Sequence, residues 1–369
     1  METQGDSQGD SQGAEHVHVG RDGWLFLTAG SNNVVGQFSR SRMMARRVRG
    51  WKRLVIARVR GCERLGARYL HVIVPEKLTV YDHKLADGLK VKVRLSPAMR
   101  LRRSLFWHRR ARRACLDLVG AFRAQRDACD LYYRTDSHWS FEGCETAYRL
   151  ICAACGAVPR EDWRAPHAWL ERAGDLGGKL VPARTEPWPI RQIQRDAVRA
   201  HASPIVSLRE RTDRADTLHV GAHVIYRNEA PGTDPRRVVL FGDSYAHFAP
   251  IMLTALVAET FAEVHFVWSS SVDWRYLERV RPDLVIGQVA ERFMFQMPDD
   301  RFDLDAYAER RFGPELAAAE AAERAEAEAR AKAAEERAAA GRARRRRQRR
   351  ERERAKAALL LDSGNGSGD

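Results

Sequence analysis

A chain of 369 residues, 44% of them hydrophobic, is long enough to bury one large core or two modest ones once its polar tails are set aside. Its formal net charge of +14 is unevenly placed, because Arg342 to Lys356 alone holds ten Arg or Lys against two Glu. Six cysteines in a chain this long exclude the disulfide framework of a small secreted domain, and no stretch reaches the ~18 apolar residues of a membrane span.

Residues 1–15 form a polar Gly/Ser/Gln/Asp tail with no apolar h-region, from which a cytoplasmic location is expected. The folded domain is predicted over 16–312. It opens with a hairpin, Val17 to Leu27, turning at Asp22-Gly23. A helix with apolar residues Trp51, Leu54, Val55 and Val59 feeds a buried strand from Tyr69 to Val74, and Pro75 ends that strand. Glu76 and Lys77 then lie at the carboxyl end of the strand, the edge where open α/β sheets bind ligands; they are read either as site residues or as solvated loop charges. Lys90 to Arg113 is strongly basic and contains Phe106 and Trp107. Contact with nucleic acid or an acidic polymer is one reading, and an Arg-rich solvated helix face is the other.

From Leu131 to Trp139 the tyrosines suggest a strand, followed by a Ser140 N-cap and a helix to Cys155 closed by Gly156. Asp136 and His138 fall in the connection, two residues apart, a spacing that puts both side chains on one side of an extended segment. A carboxylate so placed can fix an imidazole tautomer, while capping and packing account for the same residues without chemistry. Cys152 and Cys155 have a redox or half-zinc spacing but lie at the end of that helix rather than its N-terminus. They are read as small, reduced, buried side chains, and no metal site is assigned.

The region 159–235, rich in Trp, Pro and charge, reads as an insertion shaping a cleft or carrying a small β-subdomain. After it, Val238 to Phe241 forms a buried strand that stops at Gly242-Asp243-Ser244, and the apolar residues of Ile251 to Val257 suggest a helix beyond. A serine in such a turn, near helical N–H groups, is a candidate nucleophile. The tripeptide is also ordinary turn chemistry: Gly5-Asp6-Ser7 and Gly9-Asp10-Ser11 occur in the polar tail with no strand before them. Strands over Ala262–Trp268 and within Pro282–Arg292, separated by a helix over Val272–Arg281, complete an alternation that implies a mostly parallel sheet covered on both faces. Glu291 and Arg292 follow the last strand. Residues 313–369 read as a charged Ala/Glu/Arg helix with a Gly-Ser tail, a solvated or partly disordered extension by default, with weak, salt-sensitive binding to nucleic acid or anionic lipid as the other reading.

Taken in order, Gly20-Arg21-Asp22-Gly23-Trp24-Leu25-Phe26, Val74-Pro75-Glu76-Lys77, Thr135-Asp136-Ser137-His138-Trp139, Phe241-Gly242-Asp243-Ser244-Tyr245, and Arg281-Pro282-Asp283 with Glu291-Arg292 resemble the SGNH-hydrolase-like domain of the alginate O-acetyltransferase AlgX/AlgJ family. The resemblance implies a three-layer α/β/α fold, circularly permuted so that the Asp-His element precedes the serine, and O-acetylation of an exopolysaccharide. It carries over Ser244 as nucleophile, His138 as general base and Asp136 as its orienter, with Glu76, Lys77, Arg134, Tyr245, Glu291 and Arg292 as candidate substrate contacts. It also implies a carbohydrate substrate, a membrane acyltransferase or glycosyltransferase partner, and a cell-envelope location as the alternative to the cytoplasm. No tightly bound cofactor is expected and the acetyl donor is left open. A carbohydrate esterase using the same three residues, and a non-catalytic scaffold, are the competing functions.

Overall fold

The computed structural model describes residues 14–362 apart from 162, 164–165, 167, 194 and 249–252. The N-terminal tail up to residue 13, including both early Gly-Asp-Ser copies, the first residues of the helix expected from Ile251 and the final Gly-Ser segment lie outside the described residues. Two compact units divide between Ala308 and Glu309.

Among the described residues ten strands form: β1 (Val17–Val19), β2 (Leu25–Leu27), β3 (Arg68–Val74), β4 (Ala168–Arg172), β5 (Glu186–Ile190), β6 (Val198–Ala202), β7 (His223–Arg227), β8 (Asp234–Gly242), β9 (Phe261–Trp268) and β10 (Leu284–Ala290). The central sheet has the order β3-β10-β8-β9-β7-β6. Its first four strands are parallel, and β7 and β6 are added antiparallel at the far edge.

The near-continuous apolar runs of β3, β8, β9 and β10 follow from burial on both faces, since successive side chains point to opposite sides of a strand. Leu70, Val72, Leu240, Phe266 and Ile286 pack into one core with the helix Phe141–Cys155 and the short helix Leu253–Ala258. Tyr69, Ile73, Val239, Val267 and Val285 pack into a second core with helices Arg42–Arg64, Pro97–Ser104 and Trp274–Val280. One sheet between two helical layers is the three-layer α/β/α architecture expected from the sequence.

The region 159–235 departs from a simple appendage. Its β4 and β5 do pair as a separate ribbon, but β7 hydrogen-bonds to β9 and so continues the main sheet. The helix Leu304–Asp362 carries i,i+4 pairs such as Glu326–Arg330 and Arg347–Glu351, and the side chains from Glu320 to Arg354 are exposed. No described helix is long and apolar enough to cross a membrane.

Candidate active site

Strand β8 runs buried to Gly242 and delivers Ser244 at the carboxyl end of the sheet, at the start of a 3₁₀ turn, Ser244–Ala246. The turn is fixed by Asp243. Its carboxylate accepts from Tyr245 N–H at 3.0 Å, Gln288 Nε2 at 2.9 Å and Ala290 N–H at 2.6 Å, while Gln288 Oε1 accepts from Asp243 N–H. A side chain at position 242 would sit 2.6 Å from Ala246 Cβ and 2.8 Å from Gln288 Oε1, so the tight turn requires glycine there. The Ser244 N–H has no acceptor among the described residues. It is free to face an oxyanion, whereas Tyr245 N–H is spent on the cap. The helix expected beyond this turn from the apolar residues Ile251 to Val257 is described over Leu253–Ala258.

Leu131 to Trp139 is not the strand that its tyrosines suggested. Only an isolated bridge, Tyr132 to Trp139, forms there, because the N–H groups of Leu131, Arg134, Thr135, Ser137 and His138 donate to side chains. Asp136 Oδ1 accepts from His138 N–H at 2.7 Å and also lies 2.7 Å from His138 Nδ1. This Asx turn, rather than an extended spacing, brings the two side chains together. Ser140 caps the next helix through Gly143 N–H, and Gly156 ends it in the left-handed region at φ 71°.

Across the cleft His138 Nε2 lies 2.8 Å from Ser244 Oγ. Burial pushes the Asp136 carboxyl up, but the hydrogen bond and charge of His138 outweigh it and hold it well below the usual carboxylate range. An ionised Asp136 can only accept, so Nδ1 carries the proton shared between them. In the neutral imidazole Nε2 is then the acceptor, aimed at the Ser244 hydroxyl. Burial lowers the His138 pKa, yet Asp136 outweighs that effect and the net direction is upward.

The loop from Gly174 to Gly178, inside the region 159–235, buttresses this pair. Asp175 N–H donates to Asp136 Oδ2 at 2.8 Å, and the Asp175 carboxylate accepts from Ser137 N–H and Oγ. A Cβ on Gly174 would fall 2.4 Å from Asp136 Cβ, which is why the loop can approach so closely. Asp136, His138 and Asp175 present ligand-type atoms within 4.8 Å of one another, but the carboxylate oxygens are already engaged by these donors. Glu186 on β5 accepts from Thr135 N–H and Oγ1, tying the ribbon to the same loop. His247 stacks on Phe248 beside Ser244; burial and the charge of His138 lower it to about 4, so it is neutral at pH 7.

The six other candidate residues divide. Glu76, Lys77, Tyr245, Glu291 and Arg292 are buried, not solvated loop charges or open cleft residues, and they are engaged internally. Glu291 accepts from Glu76 N–H, Thr79 Oγ1 and Ala98 N–H, which ties the ends of β10 and β3 together. Lys77 Nζ donates to the carbonyls of Leu25 and Arg134, clamping the β1–β2 hairpin to the Asp136 loop. Tyr245 OH donates to Ser137 O at 2.6 Å, and Arg292 reaches Tyr245 OH, Ser137 Oγ and Glu76. Arg134 alone is exposed, with its guanidinium paired to Asp130.

Arg292 and Glu76 form a buried pair at 3.4 Å. Arg292→Met leaves the carboxylate in the interior without its counter-charge and is expected to cost about 3–5 kcal/mol of unfolding free energy. Denaturant unfolding measures it; a loss below ~1 kcal/mol would show that the pair does not hold the two loops.

The fold is similar to known structures. The O-acetyltransferase domain of Pseudomonas putida AlgJ superposes with a TM-score of 0.51 at 18% identity, covering 79% of this chain and 97% of that one. Bacillus cereus PatB1 gives a TM-score of 0.50 at 15% identity, covering 75% of this chain and 98% of that one. No curated protein gives a sequence match. The family described as "SGNH hydrolase-like domain, acetyltransferase AlgX" matches residues 17–259, a span containing Asp136, His138 and Ser244, and the chain belongs to that family.

Proposed function

We propose that this protein O-acetylates a polysaccharide through an acetyl-Ser244 intermediate. The observation that carries the reading is the relay Asp136–His138–Ser244, with contacts of 2.7 and 2.8 Å, at the carboxyl end of the sheet. His138 Nε2 takes the hydroxyl proton as Ser244 Oγ attacks the acetyl carbonyl, and the leaving group departs with that proton. The Ser244 N–H faces the oxyanion while charge develops. A sugar hydroxyl then attacks the acetyl-serine, giving its proton to His138, which returns it to Ser244 Oγ.

Family membership supports acetyl transfer, and the likeness to the O-acetyltransferase domain of Pseudomonas putida AlgJ supports oxygen as the acceptor atom. The acetyl donor is an activated ester or thioester handed over at this site, and the acceptor is a glycan hydroxyl. Incubation with an activated acetyl ester and an oligosaccharide is expected to yield acetylated sugar by mass spectrometry. Acetate alone, with no acetylated sugar across a panel of glycans, would make the protein an esterase. An ester consumed equally by the Ser244→Ala variant would overturn the serine route.

A further inference from the structure

The basic stretch from Lys90 to Arg113 has no part in the site. Its two helices, Pro97–Ser104 and Arg109–Ala114, pack on the sheet face opposite the helix Phe141–Cys155, and they are joined by a turn carrying Phe106 and Trp107. These two side chains are 52% and 86% exposed, with rings packed edge to face at 4.9 Å. An isolated exposed aromatic needs no explanation, but two adjacent ones on a turn form an apolar ridge that water does not favour.

The ridge separates two hollows with apolar floors and guanidinium rims. One, of about 310 Å³, has Ile73 and Val119 below and Arg102, Arg103 and Arg112 around it. The other, of about 400 Å³, has Ile56 and Val59 below and Arg60 and Arg109 around it. Arg60, Arg103, Arg109, Arg112 and Arg113 are exposed and have no carboxylate partner among the described residues. The nearby carboxylates Glu63 and Asp117 are already paired, with Arg110 at 3.2 Å and Arg102 at 3.1 Å.

We propose that this ridge docks the domain on a bilayer surface rich in anionic lipid. Amphipathic aromatic side chains settle at headgroup depth, and guanidinium groups around them meet the negative charge of that layer. The packing of Phe106 decides against a strand of nucleic acid, which needs open aromatic faces for its bases. Here the face of Phe106 is taken by Arg112, 4.9 Å from its ring centre, and its edge contact by Trp107. The inference is independent of the acetyl-transfer reading.

The full chain is mixed with vesicles of phosphatidylcholine alone or with about one third phosphatidylglycerol and sedimented. Binding is expected only to the anionic vesicles, and raised salt should weaken it. Phe106→Ser/Trp107→Ser should lower the partition coefficient by about tenfold or more, with Trp107→Phe retaining most of it. Arg109→Gln/Arg112→Gln/Arg113→Gln should cost about fivefold per charge. The substitution Arg344→Gln/Arg345→Gln/Arg346→Gln/Arg347→Gln in the C-terminal helix controls for its charge, and circular dichroism melting shows that each variant is folded. Wild-type binding by the double aromatic variant, loss only in the C-terminal variant, or no vesicle binding at all would overturn the proposal. Aromatic-dependent binding of a single-stranded oligonucleotide without vesicle binding would assign the ridge to nucleic acid instead.

Discussion

Ser244→Ala is expected to lower kcat on an activated acetyl ester by about 10⁴-fold to 10⁶-fold, leaving little more than the background given by binding and the oxyanion donor. His138→Ala should fall almost as far, because an unactivated hydroxyl is a poor nucleophile at neutral pH. The sharper expectation concerns the pair. With Oγ and Nε2 2.8 Å apart and acting on the same proton, Ser244→Ala/His138→Ala should be hardly worse than either single change. Neither side chain supports the fold as a cavity-filling residue would, so both variants should melt close to wild type. Additive losses in the double variant would mean that the two residues act in separate steps, and the relay would have to be abandoned.

Asp136→Asn carries the second large effect. The amide can present its NH₂ to Nδ1 and trap the wrong tautomer, and a loss in kcat of about 10³-fold to 10⁴-fold is expected. The pH profile supplies a sign that a merely structural role would not. In the wild type Asp136 holds the His138 pKa above its ordinary 6.5 against the downward pull of burial. The base must be neutral to accept a proton, so activity should rise with pH through a value above 6.5. Removing the carboxylate charge leaves burial to act, and the acidic limb should move below 6.5. An acidic limb that stays in place while kcat falls would show that the limb does not report His138.

Much of this architecture is legible in the residues. The runs Leu70–Val74, Val238–Phe241 and Leu284–Ala290 read as strands because burial on both faces leaves them almost wholly apolar, interrupted by His71 and Gln288 alone. Ser140 and Gly156 mark both ends of one helix correctly, since caps are local chemistry. What local reading misses is partnership. The buried Arg292–Glu76 pair spans 216 residues, so each residue looks like an ordinary charge after a strand until the fold joins them. The Asp136 loop fails as a strand for another reason: its tyrosines have strand propensity, but the carboxylates of Asp136, Asp175 and Glu186 capture its N–H groups. Strand β7 is not legible as part of the sheet because it lies within a long polar segment and, besides its neighbour β6, pairs with sequence far downstream, at β9.

The Gly174–Gly178 loop has a thermodynamic consequence. Asp136 Oδ2 and Ser137 are held from a segment that lies about 38 residues further along the chain and outside the parallel strands. Segments of this kind open with smaller free energies than the core of a sheet. The fraction of molecules with a fully supported Asp136 therefore cannot exceed the fraction in which this loop is closed. Heating or mild denaturant should release amide protons of 174–178 before those of β8 and β10, so that the relay loosens while the sheet is still intact. The working range of the site is then set by the closing equilibrium of one short loop rather than by the melting of the domain.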